Sequence, residues 1–177
     1  MFDKEYSFKG SHAIKVNRLT ASLSENNKDI KIFQRNIDVY VTAPLVGFLY
    51  SRKADVDKTT TDTAKIMGDR VINSKEDLKF NYRLVMLLDV KNESNAEERI
   101  NKAFRYIDSD KSVSDEALFE DYVRGGIDVL YEKIIDKANS LDEYLTNLYD
   151  FLEEFEERYN EAITSVDIID LCKLART

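Results

Sequence analysis

Asp55, Asp57 and Asp62 fall within "ADVDKTTTD", and closely spaced carboxylates supply the oxygen ligands that Mg²⁺ or Ca²⁺ prefers. A metal-dependent nuclease is the activity such a triplet would serve. The stretch lacks the glycine of a calcium loop, and D-x-D is ordinary in polar turns, so a solvated loop is the simpler reading. No metal or other cofactor is expected. His12 is the only histidine and Cys172 the only cysteine. One of each cannot complete a zinc site, and no triad partner accompanies His12. Cys172 in "IIDLCKLA" reads as a small packing residue rather than a nucleophile. Glu153, Glu154, Glu156 and Glu157 flank an apolar stripe and read as the wet face of a helix, or as an acidic patch for a basic partner. With no nucleotide-binding loop and no catalytic cluster, the chain is expected not to be an enzyme.

Charge bounds the possible partners. The net charge is −8, unevenly spread: residues 1–71 hold 12 Lys/Arg against 9 Asp/Glu, and residues 72–177 hold 14 against 25. Phosphate backbones repel the second part. Direct nucleic-acid contact therefore falls to Arg18, Lys28, Lys31 and Arg35, with Arg52 and Lys53. These are scattered, with no recognised binding motif around them. For a protein partner, ten tyrosines and nine phenylalanines are a heavy aromatic load. Aromatic side chains are enriched at interface cores. Phe48, Leu49 and Tyr50, beside Arg52 and Lys53, are the expected anchors, unless they fill the core instead.

The elements that must position these residues are helical. A chain of 177 residues with five glycines and one proline has too few turns for a β-sandwich or barrel. We expect an all-α single domain of five to seven helices, with no sheet beyond a marginal hairpin. Residues 1–73 are mildly basic and harder to assign; residues 74–177 form an acidic helical part. "SHAIKVNRL" predicts a helix capped by Ser11. Residues 30–50 predict a buried helix kinked or broken near Pro44, with a strand through "IDVYVT" as the alternative. Residues 51–73 suit a short helix or a functional loop. Capping patterns at Ser74 with Asp77, Asn95 with Glu98 and Ser140 with Glu143 open three helices. Ser112 or Ser114 opens another, and a last short helix is expected over Val166–Ala175. No run is apolar enough to span a bilayer, and no signal segment is evident, so a cytoplasmic location is expected.

In "FEDYVRGGIDVLYEKI" two glycines sit inside an amphipathic run. Each costs about 1 kcal/mol relative to alanine within a helix. The apolar positions 118, 122, 123, 127, 130 and 134 keep one phase across the pair. Gly125 and Gly126 are therefore expected to stay helical and to admit a closely packed neighbour; a phosphate-binding loop lacks its pattern.

The same stretch resembles the "F-E-x-Y-x-x-G-G-h-x-h-L" segment, h being apolar, of small helical proteins associated with bacterial DNA-phosphorothioation (Dnd-type) defence islands. "APLVGFLYSRK" is similar to that family's other recurring segment, and "LVMLLDV" and "YLTNLYDFLEEF" stand in matching order. The resemblance implies a non-catalytic accessory subunit of an anti-phage or restriction-type system, bound to a larger ATPase or nuclease. A DNA-binding accessory or regulator is the alternative, and a metal-dependent nuclease the second.

Overall fold

The computed structural model describes residues 1–25 and 27–159. Cys172 and the helix expected over Val166–Ala175 lie outside the described residues. Within them the chain runs β1 (Tyr6–Lys9), α1 (Gly10–Leu19), α2 (Asn36–Leu49), β2 (Thr63–Ile66), α3 (Gly68–Asn73), α4 (Lys75–Leu88), α5 (Ala96–Ile100), α6 (Val113–Leu130) and α7 (Leu141–Tyr159). π-helical turns at Asn101–Arg105 and Tyr131–Ile135 extend α5 and α6. The fold is mainly helical and forms one domain, but it is not strictly all-α. β1 and β2 pair antiparallel, with Phe8 opposite Ala64 and Tyr6 opposite Ile66. They are not a hairpin, since two helices lie between them. Phe8, Ala64 and Ile66 are buried while Lys9, Thr63 and Lys65 face water, the alternation expected of a half-buried strand pair.

The centre of the core is α2 against α6, with α1 and α4 alongside. Val39, Tyr40, Ala43 and Val46 of α2 meet Phe119, Val123 and Ile127 of α6 in one buried cluster with Val16, Leu78 and Tyr82. Each large apolar side chain so buried contributes about 1.5–3 kcal/mol.

α2 begins at Asn36 rather than residue 30, is helical through "IDVYVT", and continues past Pro44 to Leu49. Pro44 has no N–H to offer the Tyr40 carbonyl. In the same turn buried Asn81 of α4 donates its side-chain amide to the Val41 carbonyl at 2.8 Å, an acceptor satisfied from outside the helix.

Helix starts divide into local and non-local cases. Asn95 accepts from the Glu97 and Glu98 N–H groups at 2.9 and 3.2 Å. Ser140 accepts from the Glu143 N–H at 3.3 Å. Ser74 precedes α4 but makes no side-chain cap bond, because α3 runs almost directly into α4. Ser11 does not cap α1. Its N–H is instead taken by the Asp57 carboxylate at 2.7 Å, and the Gly10 N–H by the Asp62 carbonyl at 3.0 Å. Residues 51–73, hard to read from sequence, thus hold β2, α3 and the cap of α1.

Candidate functional site

The two segments that carry the family resemblance pack on each other. A Cβ at Gly126 would overlap the Ala43 carbonyl and stand 2.9 Å from the Gly47 amide nitrogen. A Cβ at Gly47 would overlap the Tyr122 carbonyl, and one at Gly125 the Arg52 carbonyl. Only bare backbone fits these places, so α2 and α6 approach more closely than side chains allow. α6 is continuous through both glycines.

Beyond α2 the chain is strapped to α6. The Ala54 N–H donates to the Asp121 carbonyl at 3.1 Å, and Arg124 Nε donates to the Ala54 carbonyl at 2.8 Å. The expected partner anchors lie along this strap. Phe48 is half-buried and meets the Tyr122 ring edge-on at 5.6 Å. Leu49 is half-buried as well. Tyr50 stacks on Phe151 at 6.2 Å, with its hydroxyl 3.3 Å from a Glu154 oxygen. Arg52 is exposed and pairs with Glu132 at 3.0 Å, and the Lys53 ammonium lies 5.4 Å from the Tyr122 ring centre. The apolar half of the set therefore packs inward and the cationic half stays at the surface.

A row along α6 carries the charged chemistry: Glu116, Glu120, Arg124 and Asp128, each four residues from the last. Tyr6 and Tyr40 both donate to Glu120, at 2.5 and 2.7 Å, one to each carboxylate oxygen. Their rings stack at 4.1 Å. Burial pushes the Glu120 carboxyl above its usual range, against the two phenol hydrogen bonds, which favour the anion. Burial, followed by the charge of Glu120, likewise holds both tyrosines well above theirs. With both oxygens engaged, Glu120 ties β1, α2 and α6 together. Clefts of about 200 and 300 Å³ open on either side of it.

One helical turn from Arg124, Asp128 receives Lys15 Nζ at 2.6 Å and lies 3.4 Å from His12 Nε2. Burial raises this carboxyl's pKa, but the His12 and Lys15 contacts outweigh burial and hold it below the ordinary value. His12 is buried on the α1 face toward α6, and its Nδ1 has no partner among the described residues.

The aspartate triplet does not converge on one point. Among the described residues no group of three or more His, Cys, Asp or Glu side chains gathers to hold an ion. Asp57 is occupied by the N–H groups of Ser11 and Thr59, at 2.7 and 2.8 Å, while Asp55 and Asp62 are exposed. The hydrogen bonds from Thr59 and then Ser11 hold the Asp57 carboxyl well below the usual carboxylate range. Of the basic residues, Arg18, Lys28 and Arg35 are exposed and Lys31 half-buried, at the end of α1 and in the connection to α2. Arg35 is taken up locally by Asp38 at 2.7 Å.

Sequence reasoning missed a second surface. Phe80 on α4 and Phe104 in the first π-turn are 59% and 54% exposed. Arg83, one turn after Phe80, sits 5.5 Å from the Phe104 ring centre, and its buried Nε has no acceptor among the described residues. Ile100, four residues before Phe104, is exposed as well. The available signal was an aromatic–cation pair, Phe80 and Arg83, at helical spacing, followed by the apolar pair Ile100 and Phe104. Comparison with known protein families, curated proteins and solved structures finds no match. No helix among the described residues is long and apolar enough to cross a membrane.

Proposed function

We propose that this protein is a non-catalytic accessory subunit of a bacterial anti-phage or restriction-type defence system, acting by binding a larger ATPase or nuclease. The observation that supports this reading is the exposed face of Phe80, Arg83, Ile100 and Phe104. Arginine beside aromatic rings is the composition of interface hot spots. The resemblance to Dnd-associated helical proteins names the setting. The packing of its two segments on each other gives those glycines and aromatics a structural reason without any catalytic one.

Affinity purification from a native host, followed by mass spectrometry, tests the reading. An ATPase or nuclease of the defence locus is expected with the wild-type chain. Phe80→Ser/Phe104→Ser should lose it at an unchanged melting temperature, since both rings are exposed. Tyr50→Ala/Arg52→Ala should instead lower the melting temperature by removing the stack on Phe151. Retention of the partner by the Phe80/Phe104 variant would move the interface elsewhere, and absence of any such partner would overturn the subunit reading.

A further inference from the structure

β1 has one paired edge and one open edge. β2 covers the first, in a register that sets Ser7 opposite Lys65 and Lys9 opposite Thr63. In an antiparallel pair, residues whose N–H and C=O reach the neighbour alternate with residues whose groups point away. The Gly10 N–H donates to the Asp62 carbonyl at 3.0 Å, and this bond fixes the phase. Tyr6 and Phe8 reach β2, while Ser7 and Lys9 turn their main-chain groups to the opposite edge. Asn36 bears out the phase from the far side: its side-chain amide donates to the Lys65 carbonyl at 3.1 Å, so that carbonyl points away from β1. The outer edge of β2 is therefore taken at Lys65. On β1 the Ser7 N–H, the Ser7 C=O and the Lys9 N–H have no partner among the described residues. Such a row is a template for another strand. The cleft of about 300 Å³ runs along it: all four residues of β1 line the cleft, none of β2 does, and Val56, Glu120 and Arg124 are among the residues that complete it.

We propose that this cleft takes an extended, acidic segment of a partner protein, which adds to the open edge of β1 as a third strand. Running antiparallel to β1, one residue of the segment exchanges both main-chain bonds with Ser7, and the carbonyl two residues earlier accepts the Lys9 N–H. Side chains at those two positions share the sheet face of Ser7 and Lys9. Lys9 is exposed and forms no ion pair among the described residues. A carboxylate opposite it is the matching cross-strand neighbour. The residue between the two turns to the face of Tyr6 and Phe8, into the cleft, where a small apolar side chain suits Val56. The site stands on other elements than the Phe80–Phe104 face and does not depend on the subunit reading.

The probe is a synthetic peptide, TVEVTVT, whose glutamate is set opposite Lys9 and whose second threonine is set opposite Ser7. Titrated into the full-length protein, it should slow hydrogen exchange of the Ser7 and Lys9 amides about tenfold or more, read by NMR. The Phe8 amide, already bonded to β2, should stay as it was. N-methylating the second threonine removes the donor to the Ser7 carbonyl and should abolish the protection. Ser7→Pro leaves the bonds to β2 intact and should abolish binding with the melting temperature nearly unchanged. Lys9→Glu is the second variant: it should weaken TVEVTVT about fivefold and favour TVKVTVT instead. No protection at saturating peptide would overturn the proposal, and so would equal protection by the N-methylated form. Ser7 and Lys9 amides that become protected without peptide as the protein is concentrated would give the edge to a second copy, and would overturn it as well.

Discussion

Gly126 lies directly against the Ala43 carbonyl, where a single methyl group would overlap the oxygen. This contact sets the spacing of α2 and α6, the two helices at the centre of the core. Helix propensity favours alanine over glycine by about 1 kcal/mol, while overpacking against rigid backbone costs about 1–3 kcal/mol or more. Gly126→Ala is therefore expected to destabilise the fold by about 2 kcal/mol net, measured by urea unfolding. A gain in stability would mean that the helices do not meet as described.

The Tyr6–Glu120–Tyr40 linkage predicts a response to pH. Glu120 holds its proton more tightly folded than unfolded, because burial raises its pKa. Its contribution to stability is complete below the ordinary glutamate value and is lost as pH rises through the raised one. Glu120→Gln has no proton to lose. Its stability relative to wild type should improve as pH rises from about 4 to 7, read from urea midpoints. Parallel curves would refute the burial argument. Tyr6→Phe should cost about 1 kcal/mol or more, the worth of a lost hydrogen bond at a buried acceptor.

Asp57 predicts the opposite slope. Its carboxylate accepts from Thr59 and Ser11, which depresses its pKa, so its contribution is present above the ordinary aspartate value and is lost as pH falls toward the depressed one. Asp57→Asn should lower the melting temperature at neutral pH and should lose less stability than wild type on acidification below about pH 4. Mg²⁺ should leave the melting temperature of the wild type unchanged. A clear stabilisation by the ion would reinstate the aspartates as ligands.

Local signals were legible and long-range ones were not. Asn95 and Ser140 cap the helices they precede because a cap acts within one turn. The phase of apolar residues across Gly125 and Gly126 was legible for the same reason. The cap of α1 comes from Asp57, which no pattern around Ser11 reveals. The strands are four residues each and find one another across two helices, so neither carries an independent signal. Glu120 was hidden because a charged residue on an amphipathic helix reads as solvated. The clue was Tyr40, an apolar-phase residue whose hydroxyl needs an acceptor once buried.

The tie between α1 and residues 57–62 also bears on the order in which the protein takes shape. The first turn of α1 has its N–H partners only after the chain through Asp62 exists, and β1 has no neighbour until β2 follows. During synthesis β1 and the first turn of α1 must therefore wait, with Phe8 uncovered, until both closures fall into place. Such distant closures are slow relative to helix formation. A nascent copy is open to chaperones there in the interval, and a premature stop before Asp62 would leave β1 and the first turn of α1 without their partners.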